Sequence, residues 1–132
     1  MKQESKDKFN KKSFTRFVKS FKYCYEGIRY AFYHEQNIFV MMLAAIVVMI
    51  LGIVLGVTYV ESLILVVLIG VTLTAEMLNT AIEVCVNLVT KEIKPEAKVA
   101  KDSASGAVGI LCIFDFIVGL MIFIPKIVML FR

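Results

Sequence analysis

The sequence is poor in the residues that mark several common kinds of site. It has no tryptophan, two prolines, one histidine and three cysteines. An odd number of cysteines without a CxxC pair argues against a disulfide framework. The single histidine, His34, is expected to be an interfacial side chain rather than a metal ligand. A P-loop and a glycine-rich nucleotide fingerprint are also absent, so any nucleotide site must be built differently.

Charge is missing from long stretches of the chain. Hydrophobic residues make up 59% of the sequence, whereas soluble domains contain roughly 45–50%. The first uncharged run alone would form about 35 Å of helix, which is enough to cross a hydrocarbon core of about 30 Å. We therefore predict a single all-α integral membrane domain with three transmembrane helices, at residues 38–60, 62–90 and 103–124.

Basic residues predict the orientation of these spans. Nine Lys or Arg residues lie within residues 1–35 and four within residues 91–102, whereas the connection at residues 58–61 contains none. Because basic loops stay on the cytoplasmic side, the N-terminus and the 91–102 loop are predicted to be cytoplasmic. The C-terminus is then outside.

The segment before the first span is predicted to be an amphipathic surface helix, at residues 13–35, after a disordered start at residues 1–12. Its apolar side chains recur every three or four residues, which favours a helix lying in the membrane interface. The stripe comprises Phe14, Phe17, Val18, Phe21, Tyr25, Ile28 and Phe32. Its basic side chains are better suited to anionic headgroups or a nucleotide phosphate than to nucleic acid.

Polar residues interrupt the second span at helical spacing. Glu76, Asn79, Thr80 and Glu83 share one helix face, with the two carboxylates about 10.5 Å apart along the axis. Each intramembrane carboxylate costs about 2.5–3.5 kcal/mol on insertion scales. Glu76 is predicted to lie within the inner leaflet and Glu83 at the cytoplasmic boundary, so a functional role is favoured most for Glu76.

Further charged residues are predicted to lie at the same boundary, namely Glu35, Lys101 and Asp102. Carboxylates beside cations suit Mg²⁺ and phosphates, because Mg²⁺ is held by one or two carboxylates plus substrate phosphates. The alternative is structural: Asn79 could be interhelical hydrogen-bond glue, and Glu35 and Glu83 could be solvated charges. Asp115, in the third span, receives no role.

The string AEMLNTAIE, followed by KDSASGAV, closely resembles the signature of the prokaryotic diacylglycerol kinase family. The resemblance extends from Phe14-Thr15-Arg16 to the last span. It implies a homotrimeric membrane lipid kinase with sites between subunits, using ATP as co-substrate and Mg²⁺ as cofactor.

The resemblance also implies roles for individual residues. Glu76 resembles the catalytic base and also a lipid contact, with Asn79 and Lys101 as further catalytic positions. Glu35 and Glu83 resemble the metal ligands. Ser105 falls at a lipid-contact position of the family. The implied ATP-binding set is Arg16, Tyr23, Glu35, Glu83, Glu92, Lys94, Lys101 and Asp102, in which Glu92 and Lys94 lie in a loop unlike that of the best-known member.

The ending GLMIFIPKI resembles the Gram-positive group of this family, whose substrate is undecaprenol. We therefore expect phosphorylation of undecaprenol in a bacterial cell membrane, with diacylglycerol as the alternative substrate. A cation-conducting subunit and a non-catalytic helical scaffold are two alternatives outside enzymology. The first would explain the carboxylates but not Lys101, Asp102 and the basic surface helix together. The second would use the GxxxG face of Gly52 and Gly56 for helix packing, but it leaves Glu76 unexplained.

Overall fold

The computed structural model describes residues 2–92 and 94–131, with side chains from residue 15 onward. Its four helices are α1 (Lys2–His34), α2 (Gln36–Val54), α3 (Tyr59–Val89) and α4 (Pro95–Leu130). Met1–His34 forms one compact unit and Glu35–Arg132 forms another. The all-helical prediction is therefore confirmed for the described chain.

The helix α1 contains the predicted surface helix and ends one residue earlier, at His34. It begins at Lys2, where the sequence predicted disorder over residues 1–12. Residues 2–14 contain neither glycine nor proline, so nothing in this segment breaks a helix. Within the aromatic stripe, the Phe17 and Phe21 rings meet edge to face at 5.0 Å.

The helices α2, α3 and α4 are each long and apolar enough to cross a membrane. At most 17% of any span's apolar window is buried within the chain itself. Their outward surfaces consist mainly of exposed aliphatic and aromatic side chains. Such a surface is stable against lipid or other subunits rather than water.

The first span is shorter than predicted, because α2 ends at Val54 rather than at residue 60. Gly56 adopts a positive φ of 64°, a conformation that costs glycine least. Thr58 then caps α3 in a capping box with Glu61, whose backbone N–H donates to the Thr58 hydroxyl at 3.3 Å. Hydropathy alone does not report these stop and start signals, since the turn residues around them are apolar.

The third span is longer than predicted at both ends. It begins at Pro95 rather than residue 103, because proline fits the first turn of a helix, where its missing N–H is not needed. It passes Pro125, where the sequence predicted a stop, and ends at Leu130. Membrane helices tolerate an internal proline when their surroundings satisfy the freed backbone group.

An ion pair ties α4 to the turn between α2 and α3. The Lys126 ammonium lies 3.0 Å from a Glu61 carboxylate oxygen and donates to the Gly56 carbonyl at 3.2 Å. We call this end of the three spans, around residues 55–58, the turn end. The opposite end, where residues 90–94 join α3 to α4, is the loop end.

Replacing Thr58 by alanine should lower the stability of the spans by about 1 kcal/mol, the typical value of an N-cap hydroxyl. The Thr58 side chain both accepts from the Glu61 backbone and donates to its carboxylate at 2.8 Å. The measurement is the thermal unfolding midpoint in detergent. Thr58→Ser, which keeps the hydroxyl, is the matched control, and equal midpoints for the two variants would contradict the cap's contribution.

Candidate active site

One face of α3 carries buried polar side chains at four-residue intervals. Thr72, Glu76 and Thr80 have only 6%, 2% and 5% of their surface exposed. Residues four apart share a helix face, and this face is buried because α3 packs against both α2 and α4. Asn79 and Glu83 flank it and are half-buried. The predicted polar face therefore points into the helix packing.

Glu76 is the most buried large side chain among the described residues. Its Oε1 atom is buried and has no hydrogen-bond partner within the described chain. The Asn79 Oδ1 atom, one turn away, is also buried and has no hydrogen-bond partner within the described chain. Burying a polar group without a hydrogen bond costs about 1–3 kcal/mol in proteins. The pair is thus arranged to receive an external partner.

A hydrogen bond between the Thr72 hydroxyl and Asp115 Oδ2, 2.7 Å long, fixes the register of α3 against α4. The short connection at residues 90–94 makes the two helices antiparallel neighbours. Because both rise equally per residue, Lys101 lies roughly one turn beyond the level of Glu83, toward the loop end. Asp102 and Ser105 lie close to the level of Glu83. The packing brings these predicted residues to the same end of the helix pair.

Glu35 lies at the end of α2 nearest the site. Gly52 of α2 sits beside Leu65 of α3, and counting equal rises from this contact places Glu35 level with the segment from Asn79 to Glu83. The backbone of Glu35 is extended, and its side chain does not cap α2. Its carboxylate therefore remains available to a ligand.

The two ends of the spans differ in the ion pairs that their charged side chains form. At the turn end, Glu61 and Lys126 form the close pair already described. At the loop end, the charged side chains that form no ion pair or hydrogen bond within residues 15–92 and 94–131 include Glu35, Glu83, Lys101 and Asp102. Unpaired charges of both signs gathered at one end are suited to a charged substrate with a cation.

The same residues include the carboxylates that could bind a metal ion. No group of three or more His, Cys, Asp or Glu side chains able to hold a metal occurs in the described part of the chain. Glu35 and Glu83 nevertheless offer two unpaired carboxylates at neighbouring levels. This donor set fits Mg²⁺, which takes one or two carboxylates and completes its shell with water and substrate phosphates.

The four remaining predicted ATP contacts are all exposed. Arg16 and Tyr23 are exposed on α1, in the separate N-terminal unit. Glu92 and Lys94 are exposed in the 90–94 connection and lie 4.0 Å apart as an ion pair. A surface pair of this kind contributes little, so it can be exchanged for contacts with phosphate.

Sequence reasoning missed the partner of Asp115. The Thr72 hydroxyl that binds Asp115 comes from 43 residues away, and a threonine within an apolar run is not itself unusual. The available signal was spacing, because Thr72 lies four residues before Glu76 and so belongs to the same face.

Three membrane spans with buried and unpaired carboxylates at one end define a small helical membrane protein with a candidate site for phosphate chemistry. A sequence profile of prokaryotic diacylglycerol kinases matches residues 22–123. The undecaprenol kinase of Bacillus subtilis is 41% identical over 123 residues, which cover 93% of this chain and 98% of that protein. A diacylglycerol kinase of Synechocystis sp. is 31% identical over 112 residues, covering 84% of this chain and 64% of the relative.

The chain belongs to the prokaryotic diacylglycerol kinase family. It is accordingly an enzyme, a membrane lipid kinase with ATP as phosphoryl donor, and α2, α3 and α4 are its membrane spans. This membership overturns the two alternatives outside enzymology, the cation-conducting subunit and the non-catalytic scaffold.

Proposed function

We propose that this protein transfers the γ-phosphoryl group of ATP to the hydroxyl of undecaprenol, with Mg²⁺, giving undecaprenyl phosphate and ADP. The observation that carries the proposal is the buried Glu76 carboxyl, whose Oε1 atom has no partner in the described chain. A carboxylate held in this way within a membrane span is suited to accept the proton of a lipid hydroxyl.

In this mechanism the lipid oxygen loses its proton to Glu76 and attacks the γ-phosphorus, whose bond to the β-phosphate bridging oxygen breaks as ADP leaves. Asn79 orients the reacting groups from the same helix face, and Ser105 contacts the lipid headgroup. Lys101 offsets the negative charge of the transferring group, since phosphoryl transfer depends mainly on positioning and charge stabilisation. Bound Mg²⁺, which Glu35 and Glu83 would hold, would supply positive charge that offsets the charge of the phosphates.

The residues proposed to bind the nucleotide and its metal ion come from α1, from the loop end and from the residue that precedes α2. Glu35 and Glu83 would hold the metal ion that accompanies the phosphates. The contacts proposed for ATP itself come from Arg16, Tyr23, Glu92, Lys94 and Asp102. Those on α1 are basic or aromatic and exposed, which suits a phosphate or a base.

Undecaprenol is preferred over diacylglycerol because two hydroxyl donors on the Glu76 face of α3 are already engaged. The Thr80 hydroxyl donates to the Glu76 carbonyl at 3.1 Å, and the Thr72 hydroxyl donates to Asp115. Diacylglycerol would bring two ester carbonyls, each needing a donor in the pocket. A polyprenol brings one hydroxyl and no carbonyl. The match to the undecaprenol kinase of Bacillus subtilis, which covers 98% of that protein, supports the same choice.

The site is proposed to face the cytoplasm in a bacterial cell membrane. ATP is supplied there, and thirteen of the fifteen Lys and Arg residues lie in residues 1–35 and 91–102, the pattern of cytoplasmic segments. The active form is proposed to be a homotrimer. The unpartnered Asn79 and Glu76 atoms and the exposed apolar faces support assembly, which would add groups from neighbouring subunits.

The deciding experiment compares kcat/KM for undecaprenol and diacylglycerol in the same mixed micelles, since this ratio defines specificity. Phosphorylated lipid is measured directly, and Glu76→Gln protein purified in parallel controls for contaminating kinases. We expect undecaprenol to be preferred. A preference of about tenfold or more for diacylglycerol, about 1.4 kcal/mol in transition-state free energy, would overturn the substrate and leave a lipid kinase.

Replacing Glu35 or Glu83 by glutamine should raise the Mg²⁺ concentration that gives half-maximal activity, because each change removes a charged oxygen ligand. The measurement is a Mg²⁺ titration at saturating ATP and lipid. Glu96→Gln, an exposed carboxylate in the first turn of α4, is the matched control and should leave the titration unchanged. An unaltered Mg²⁺ requirement with a higher KM for lipid would instead assign Glu35 and Glu83 to the lipid.

A further inference from the structure

A cavity of about 230 Å³ lies among α2, α3 and α4, on the turn-end side of Glu76. The helix α3 packs against both α2 and α4, whereas no comparable packing joins α2 to α4 in the described chain. Small side chains keep the gap open, namely Ala44, Ala45 and Gly119. The space is therefore a wedge between two spans with α3 as its floor.

The cavity is apolar except for one hydrogen-bonded pair. Thr72 and Asp115 both line it, and the Thr72 hydroxyl donates to Asp115 Oδ2 at 2.7 Å. The other carboxyl oxygen, Asp115 Oδ1, is buried and has no hydrogen-bond partner in the described chain. The cavity thus contains one half-satisfied carboxyl, at a depth where such a group is costly.

Another copy of this chain offers little to satisfy Asp115. The helix α2 has no side chain more polar than methionine from Ile38 to Val54. At a similar depth on α3, the exposed Thr74 hydroxyl already donates to the Gly70 carbonyl at 2.7 Å. Side chains from α2 and from this part of α3 in another subunit are therefore poor candidates, and a thiol such as that of Cys112 is only a weak donor. The membrane itself is the better source of a partner.

A lipid alcohol has the matching chemistry. A hydroxyl both donates and accepts, so it complements a carboxyl group in either protonation state, whereas an ester carbonyl only accepts. An apolar cavity of about 150 Å³ already holds a benzene ring. The larger cavity here has room for the chain segment next to a hydroxyl, with the rest of the lipid in the bilayer.

We propose that this cavity is a second lipid-alcohol site, in which Asp115 binds the hydroxyl before phosphorylation. The inference rests on the proposed function, because it assumes that the substrate is a long-chain alcohol. Thr72 precedes Glu76 by four residues, about 6 Å along α3. A short movement along the same helix face therefore carries the hydroxyl from Asp115 to Glu76.

Binding is tested without turnover, by photolabelling the full-length protein in micelles with a long-chain alcohol that carries a diazirine. Labelled positions are mapped by mass spectrometry. We expect label on cavity residues such as Cys112 and Asp115. Farnesol should compete, whereas farnesyl methyl ether, which has the same chain but no hydroxyl donor, should compete several-fold less well. Label spread evenly over the spans, or equal competition by the two compounds, would overturn the site.

Variants assign the effect to Asp115. Asp115→Leu should abolish the difference between farnesol and its ether, and Asp115→Asn should retain part of it. Thr74→Val, which removes a hydroxyl outside the cavity, should behave as wild type. If Asp115→Leu fails to assemble, the competition measured on the wild-type protein still decides the question.

Steady-state kinetics distinguish a role of Asp115 in binding the lipid alcohol from a role in phosphoryl transfer. Asp115→Leu should raise KM for the lipid alcohol about fivefold to tenfold, the size of one lost hydrogen bond, and leave kcat nearly unchanged. A fall in kcat with unaltered KM would contradict the proposal that Asp115 binds the lipid hydroxyl before phosphorylation. If the enzyme prefers diacylglycerol, the proposed substrate is wrong. The photolabelling experiment still shows independently whether the cavity binds a lipid alcohol.

Discussion

Glu76→Gln should lower kcat for lipid phosphorylation by at least about 10²-fold, the lower bound of a general-base contribution of about 10²–10⁴. Glutamine keeps the size and shape of the side chain but cannot take the hydroxyl proton. The Glu76 carboxyl is 2% exposed and its Oε1 atom has no partner in the described chain. Removing its capacity for charge should therefore not destabilise the fold.

The measurement combines lipid-dependent turnover with ATP binding and the thermal unfolding midpoint. ATP binding should persist, and the midpoint should stay the same or rise. Glu96→Gln is the matched control, because it neutralises an exposed carboxylate on α4. Near-normal turnover of Glu76→Gln would remove Glu76 from the role of base. Lost turnover together with a lower midpoint would indicate a structural role.

Lys101→Ala should reduce kcat by about 10²-fold or more, since a positioned donor or cation at a developing charge contributes this much in other enzymes. Lys101 is half-buried on the second turn of α4 and forms no ion pair with a described side chain. Its ammonium is therefore free to approach a phosphate. The packing of α4 on α3 sets its level beyond Glu83.

Lys98→Ala provides the control for Lys101, because Lys98 lies one turn earlier on the same helix and is exposed. It should leave kcat close to wild type. The result is read from kcat at saturating ATP and lipid, so that a change in nucleotide affinity alone is not mistaken for lost chemistry. Equal losses for the two lysines would show that only the overall positive charge of this end matters.

The number of spans could be predicted from the sequence, but their ends could not. Long uncharged runs have few structures available in a bilayer other than helices. The ends depend on local chemistry that hydropathy does not measure. Gly56 and Thr58 close the first span early, and Pro95 starts the third one early, while Pro125 fails to stop it.

The polar face of α3 was also predictable, because spacing along one helix determines which side chains share a face. The contacts between different helices could not be predicted from the sequence. The contact from Thr72 to Asp115 spans 43 residues, and the pair of Glu61 with Lys126 crosses from α3 to α4. Both depend on register, which follows from packing and not from any local pattern. The catalytic and ATP-binding roles remain predictions that rest on family resemblance.

The three spans differ greatly in length. The helix α2 has 19 residues, whereas α3 has 31 and α4 has 36. These correspond to about 28, 46 and 54 Å, against a hydrocarbon core of about 30 Å. The shortest helix therefore matches the bilayer, and the other two extend past it at the loop end.

Hydrophobic mismatch between α2 and the bilayer is therefore expected to change the turnover of the enzyme. A bilayer thicker than α2 would draw the level of Glu83 and Lys101 toward the acyl chains, and a thinner one would lift Glu76 toward the headgroups. Either change separates the lipid hydroxyl from the phosphate donor. Turnover in reconstituted membranes should accordingly pass through a maximum as the acyl chains of the host lipid are lengthened.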